Sequence, residues 1–96
     1  MKLATSDIDA RLSKLPGWSR KGEALVKQYT FKGFPDAIAF TTRLAFDAEA
    51  ADHHPDLQVS YKRVTVTWST HDAGGVTEKD FAGVAQADAA AKALGG

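Results

Sequence analysis

Two very short connections constrain the fold more than any other feature of the sequence. The segments 18–21 and 24–31 alternate between apolar and polar residues and are separated by a glycine-containing dipeptide; the segments 57–61 and 64–69 alternate in the same way around Lys62. This alternation is typical of half-buried strands. Because such short turns can join only antiparallel neighbours, the sequence predicts two β-hairpins.

The longest helical pattern lies between the two hairpins. It begins at Gly33-Phe34-Pro35-Asp36, and we expect it to end near His53, because His54 precedes Pro55 and the helical region is disfavoured there. Steps of three and four residues predict one buried helix face. That face comprises Ala37, Phe40, Leu44, Ala48 and Ala51.

Two shorter helices are predicted near the ends of the chain. Ser6 and Asp9 have the spacing of a capping box, and Pro16-Gly17 ends that helix; Thr77 and Asp80 repeat the spacing before the last helix. The predicted buried residues are Ile8, Leu12 and Leu15 in the first and Phe81, Val84, Ala85 and Leu94 in the last. The order α-β-β-α-β-β-α predicts an α+β fold, a four-stranded antiparallel sheet with three helices packed on one face.

Composition limits the classes of function. The 96 residues suffice for a single domain, which we assign to residues 1–96. Twelve basic residues balance twelve acidic ones, so the charge pattern of a nucleic-acid or membrane-surface binder is missing, and the lack of cysteine excludes thiol chemistry. The sequence shows no signal or membrane-spanning segment, so we expect a soluble, cytoplasmic protein. Near-zero net charge favours self-association.

The three histidines are the most concentrated chemical feature. His53, His54 and His71 fall within nineteen positions, and the first two follow Asp52 at the end of the long helix. Three interpretations remain open: polar residues at a helix C-terminus, ligands of a zinc or iron ion, and general acid–base catalysts. Adjacent histidines on a helix differ in direction by about 100°, which disfavours a shared metal ion. If the last strand continues, His71 lies on the polar side with Thr65 and Ser69.

Other residues have simpler explanations. Asp80 fits the capping box of Thr77, and Glu49 is either a solvated helix residue or, one turn before His53, a partner that orients it. Trp18 and Trp68 are expected in the core. No nucleophile elbow surrounds Ser69, so a serine triad with His71 is not indicated.

One longer pattern joins these residues. It consists of Glu49, then His53-His54-Pro55, Tyr61, His71 and Asp80. In this pattern, and in the segments Pro16-Gly17-Trp18 and Phe31 to Asp52, the chain resembles the pterin-4a-carbinolamine dehydratase family, whose fold matches the predicted element order. Asp72 departs from the family, whose members often carry Glu there.

The resemblance implies an activity and a set of site residues. The reaction is dehydration of 4a-hydroxytetrahydropterin to quinonoid dihydropterin, with no metal and no cofactor, in the recycling of the pterin used by aromatic amino-acid hydroxylases. His53 and His71 would transfer protons, His54 would chiefly hold the pterin, and Glu49 and Asp80 would orient the histidines. The implied substrate-binding residues are Asp52, His53, His54, Pro55, Ser69, Thr70, His71 and Asp72.

The resemblance also implies partners. Family members assemble as dimers or tetramers, so we expect a homo-oligomer, with the strand Leu57 to Tyr61 and the alanine-rich last helix as candidate interfaces. Some family members stabilise dimers of a transcription factor. A non-catalytic protein-binding module of the same fold is therefore the alternative to a dehydratase.

Overall fold

Three helices and four strands follow one another in the predicted order in a computed structural model that describes residues 1–96. The helices are α1 Thr5–Leu12, α2 Phe34–Ala51 and α3 Glu78–Ala93, and the strands are β1 Ser19–Lys21, β2 Ala24–Thr30, β3 Asp56–Ser60 and β4 Arg63–Trp68, with a 3₁₀ turn at His71–Ala73. The strands form one antiparallel sheet in the order β1-β2-β4-β3. The predicted α+β class and both hairpins are confirmed.

The core lies between one face of the sheet and the helix layer. β2 and β4 supply its centre through Leu25, Val64, Val66 and Trp68, each with no exposed surface. Each such side chain contributes about 1.5–3 kcal/mol by leaving water. Both hairpins therefore anchor the helices, and the expected burial of Trp68 is confirmed; Trp18 is also buried.

Half of the twelve predicted face residues are buried, and four more are partly buried. In α2, Ala37, Phe40, Leu44 and Ala48 are buried. Ala51, predicted on the same face, is exposed because it borders a small hollow beside Trp68 and not the core. In α3, Ala85 is exposed, since the buried face runs through Val84, Ala87 and Ala91 and Ala85 lies about 100° away from Val84. No helix has the length and apolar character needed to cross a membrane.

The predicted capping box of α1 is wrong. The residue that caps the helix is Ala4, its side chain makes no cap hydrogen bond, and Ser6 lies inside the helix. The backbone N–H of Leu3 donates to the carbonyl of Val76 at 2.7 Å. This contact holds the N-terminal segment beside the start of α3. Helix α1 begins two residues after Leu3, at Thr5, so Ser6 already lies within it and does not cap it.

β3 differs from the half-buried strand that its alternation predicts. All five of its residues are exposed, and Leu57 and Val59 each retain 37% of their surface. Tyr61 lies outside the strand, in the turn, with φ 55° and 83% exposure. The reason is position: β3 pairs only with β4, so its outer edge has no neighbour, while the helix layer is centred over β2 and β4.

Candidate active site

The end of α2 determines where the two adjacent histidines lie. Asp52 adopts the left-handed conformation, with φ 54° and ψ 40°. The N–H of His53 donates to the carbonyl of Ala48 at 3.1 Å, and the N–H of Asp52 donates to that of Glu49 at 3.1 Å. These two bonds form a Schellman motif, which ends the helix and turns the chain. His53 and His54 consequently leave the helix and contact different partners.

His53 is held between an aromatic ring and a buried carboxylate. Its ring stacks on the indole of Trp68, with centroids 5.5 Å apart and planes 18° from parallel. Its Nε2 lies 2.6 Å from Oδ1 of Asp80. The His53 side chain retains 14% exposure and Asp80 none. Two independent contacts therefore fix the position and the rotation of this imidazole.

Asp80 connects His53 to the start of α3. The capping box of α3 is confirmed: Oδ2 of Asp80 accepts the N–H of Thr77 at 2.9 Å, and the Thr77 hydroxyl accepts the N–H of Lys79 at 3.2 Å. The same Oδ2 accepts the hydroxyl of Thr70 at 2.8 Å. Asp80 thus caps its helix and binds His53 at once, and a buried carboxylate with three donors is well compensated.

His54 pairs with the carboxylate expected to contact its neighbour. Its Nε2 lies 2.9 Å from Oε1 of Glu49, and both side chains are largely exposed. Glu49 does not contact His53, whose Nε2 is occupied by Asp80. Exposed pairs of this kind contribute little to stability. The pair therefore restricts the direction of His54 more than it stabilises the fold.

His71 lies in the 3₁₀ turn and not on a continued strand. β4 ends at Trp68, and Thr70 pairs with Gly75 across the turn. The loop closes at Gly74, whose φ of 73° favours glycine. The strand alternation that predicts the side of His71 therefore does not reach it. The His71 side chain is exposed and has no hydrogen bond to the protein.

The three histidines meet at one polar depression of about 380 Å³. Its lining residues are Asp52, His53, His54, Ser69, Thr70, His71, Asp72 and Lys79. All of them except Lys79 belong to the set expected from the sequence. Pro55 does not line the depression, and Glu49 and Asp80 contact it only through the histidines that they bind. No apolar side chain is part of the lining.

Lys79 and Trp68 are the site residues that sequence reasoning missed. Lys79 is the only lysine or arginine in a lining that also contains Asp52 and Asp72. Its position directly before Asp80, at the start of a helix near the histidines, was the available signal. Trp68 was predicted as core, which is correct, but its stacking on His53 depends on a contact between residues fifteen positions apart.

The fold and the site define a small α+β domain with a histidine-lined pocket of the kind used for general acid–base chemistry. The sequence profile of the pterin 4 alpha carbinolamine dehydratase family matches residues 1–90, and the chain therefore belongs to that family. The resemblance noted in the sequence is confirmed.

The alignments with similar proteins cover most of the chain. A protein of Thermosynechococcus vestitus, provisionally named a pterin-4-alpha-carbinolamine dehydratase, is 52% identical over 83% of this chain and 84% of its own length. The crystal structure of a transcriptional coactivator/pterin dehydratase from Brucella melitensis matches with a TM-score of 0.90 and 36% identity, covering 95% of this chain and 99% of that one. The structure of a pterin dehydratase-like protein identified as a RuBisCO assembly factor in the alpha-carboxysome matches with a TM-score of 0.64 and 27% identity. The match covers 77% of this chain and 86% of that one.

Proposed function

We propose that this protein dehydrates a 4a-hydroxytetrahydropterin to the quinonoid dihydropterin by histidine acid–base catalysis. The observation that carries the proposal is the convergence of His53, His54 and His71 on one depression, with the first of them bound to a buried carboxylate. The volume of about 380 Å³ lies in the range of small-molecule sites. Family membership supplies the substrate class.

The reaction requires two proton transfers. The C4a–O bond breaks as the lone pair of the neighbouring ring nitrogen forms a double bond to C4a, the departing hydroxyl takes a proton to leave as water, and the nitrogen loses its proton. His53 and His71 perform these transfers in the proposal. An imidazole titrates near pH 6.5 and serves as acid or base near neutrality. General acid–base catalysis of about 10²–10⁴-fold is a reasonable contribution from such a pair.

Asp52, His54, Ser69 and Asp72 hold the substrate in the proposal. The pyrimidine ring of a pterin carries N–H donors, which the carboxylates of Asp52 and Asp72 can accept. Oγ of Ser69 donates its hydrogen to the carbonyl of Glu23 at 2.8 Å and so offers the substrate only a lone pair. His54, whose Nε2 is directed by Glu49, binds the pterin and does not transfer protons. Replacing His54 by Ala should therefore raise KM several-fold and change kcat by less than about threefold, as removal of uniform binding does.

The test is stopped-flow absorbance of freshly generated 4a-hydroxytetrahydropterin in buffer containing a chelator. Faster decay with the protein, retained in the chelator, supports dehydration by the histidines. The His71→Ala variant, purified in the same way, controls for contaminating activity. Folded wild-type protein that leaves the decay unchanged contradicts the proposal.

A protein-binding role is the second candidate, and the exposed edge strand favours it. β3 exposes Leu57 and Val59 beside an unpaired strand edge, an arrangement that readily pairs with another strand. The Brucella melitensis relative is described as a coactivator as well as a dehydratase, and the carboxysome relative as an assembly factor. If binding is the only function, the folded protein accelerates no decay and still captures a partner through β3.

We infer that the first partner of β3 is a second copy of this chain. Net charge is zero, so copies do not repel one another strongly, and the edge offers backbone donors and acceptors beside apolar side chains. Val59→Lys, which introduces a charge at this edge, should shift the mass measured by sedimentation equilibrium towards the monomer and leave the fold intact. A monomeric wild-type protein contradicts the inference.

A further inference from the structure

The hydrogen bonds behind His53 form a chain in which every donor can be assigned. As a carboxylate, Asp80 only accepts hydrogen bonds. Its Oδ2 accepts the N–H of Thr77 at 2.9 Å and the hydroxyl of Thr70 at 2.8 Å, and its Oδ1 lies 2.6 Å from Nε2 of His53. The short distance to Oδ1 therefore requires a proton on Nε2.

The donor and the acceptor can also be assigned for the hydrogen bonds of the two threonine hydroxyls. A hydroxyl has a single hydrogen. That of Thr70 is given to Asp80, so the 2.8 Å contact between the two Oγ1 atoms uses the hydrogen of Thr77. Oγ1 of Thr77 in turn accepts the N–H of Lys79 at 3.2 Å. The chain runs from Lys79 N–H through Thr77 and Thr70 to Asp80, and no member can reverse without losing a bond.

We propose that Thr70 is a positioning residue that, through Asp80, holds neutral His53 in the tautomer protonated at Nε2 and leaves Nδ1 as the nitrogen that exchanges a proton with the substrate. This inference rests on the proposed function for the identity of the substrate. Nδ1 of His53 has no hydrogen-bond partner in the protein, whereas Nε2 is occupied. The hydroxyl of Thr70 and the N–H of Thr77 both donate to Oδ2 of Asp80, so Oδ1 is the oxygen that remains for His53.

This role differs from the substrate-binding role expected for Thr70 from the sequence. The side chain of Thr70 lines the depression, but its one hydrogen is donated to Asp80 and one of its two lone pairs accepts from Thr77. A residue that binds substrate affects KM, whereas a residue that sets a tautomer affects kcat. The two roles therefore predict different kinetics.

The experiment combines nitrogen NMR with kinetics. Long-range ¹H–¹⁵N spectra of histidine-labelled protein at about pH 8, above the ordinary imidazole pKa, distinguish the protonated ring nitrogen from the one with a lone pair. The variants are Thr70→Val, which removes the hydroxyl at constant shape, and Thr70→Ser, which restores it. Thr65→Val on β4, whose side chain lies on the sheet face away from the helices, is the matched control.

We expect wild-type His53 to be protonated at Nε2. Thr70→Val should add a population protonated at Nδ1 and lower kcat about tenfold with KM within twofold, because the misprotonated fraction cannot act as the base. Thr70→Ser and Thr65→Val should retain the wild-type spectrum and rate.

Several results would overturn the inference. Wild-type His53 protonated at Nδ1 refutes it even if Thr70→Val does not fold. A Thr70→Val protein with the wild-type tautomer and kcat refutes it as well, and one with a raised KM alone identifies Thr70 as a substrate ligand. Because the spectra need no turnover, an inactive wild-type protein with Nε2–H on His53 refutes the proposed function and still supports the hydrogen-bond chain.

Discussion

A Cβ atom on Gly83 would lie 2.5 Å from Cε2 of Trp68, closer than side chains approach one another. Gly83 lies in α3, and Trp68 is the last residue of β4 and the ring on which His53 stacks. The absence of a side chain at this helix position thus makes room for the indole on which the imidazole of His53 stacks. Helix packing and the site geometry are coupled through these two residues.

Gly83→Ala tests this coupling. In an exposed helix the change would stabilise by about 1 kcal/mol. Here we expect a destabilisation of about 2 kcal/mol, because the indole must shift in a packed core. Denaturant unfolding measures the stability, and near-UV circular dichroism reports the movement of Trp68. Ala82→Gly, at the exposed neighbouring position, gives the propensity effect alone. A stabilised Gly83→Ala protein would show that the contact is not restrictive.

Asp80→Ala should be the most damaging single change at the site. It removes a fully buried carboxylate and leaves the N–H of Thr77, the hydroxyl of Thr70 and His53 without their acceptor. We expect a loss of about 3 kcal/mol or more in the free energy of unfolding, since breaking a buried charged network carries that cost. Equilibrium urea unfolding measures it.

Glu78→Ala is the matched control for Asp80→Ala. Glu78 lies in the same first turn of α3 but is exposed, and its hydrogen-bonded pairing with Arg11 lowers the pKa of its carboxyl. Solvent screens that pair, so its removal should have a far smaller effect. Equal losses in the two variants would argue against the buried network as the cause.

His71→Ala should separate activity from stability. The His71 side chain is exposed and makes no hydrogen bond within the protein, so the free energy of unfolding should change by less than about 0.5 kcal/mol. As half of the proposed proton-transfer pair, its loss should lower kcat about tenfold or more. Stopped-flow decay of the pterin carbinolamine measures the rate. An unchanged rate would remove His71 from the mechanism.

Asp52→Asn isolates the charge of a residue that also shapes the backbone. Asn adopts the left-handed conformation as Asp does, so the fold should be retained while KM rises several-fold through loss of a charged acceptor. Asp52→Ala should in addition lose about 1 kcal/mol of stability, because Ala is strained at this φ. Thermal unfolding and KM measured together distinguish the two effects. An unaltered KM in Asp52→Asn would place the carboxylate outside the binding site.

Tyr29 belongs to a second, partly buried cluster and predicts that the free energy of unfolding falls at alkaline pH. Its hydroxyl donates to Asp88, which also accepts from Trp18 and Lys27. Burial and, next, the hydrogen bond to Asp88 raise the pKa of Tyr29 above its ordinary value of 10.0. Above about pH 10 the unfolded chain therefore releases a proton that the folded protein retains, and stability falls as pH rises.

Tyr29→Phe should remove that part of the alkaline decline and cost about 1–2 kcal/mol at neutral pH for the lost hydrogen bond to a carboxylate. Urea unfolding of both proteins between about pH 7 and pH 11 checks this, and exposed Tyr61 is present in both. Parallel pH profiles would show that Tyr29 does not cause the decline.

The sequence by itself determined the elements and their order. Alternation, helical spacing, short turns and the Thr77–Asp80 capping box depend on neighbours within a few residues, and the structure confirms them. The failures have non-local causes: the backbone of Leu3 is bonded to that of Val76, so Ser6 is not a cap, and β3 is exposed because the strand order places it at the edge of the sheet.

Tertiary structure alone decided which groups act on which. The sequence put Glu49 one turn before His53, yet the left-handed Asp52 turns the chain so that Glu49 contacts His54 and distant Asp80 contacts His53. The stacking on Trp68 and the link through Thr70 likewise join residues far apart in the chain. Local patterns fix backbone conformation over a few residues, whereas hydrogen bonds between side chains depend on how whole elements pack.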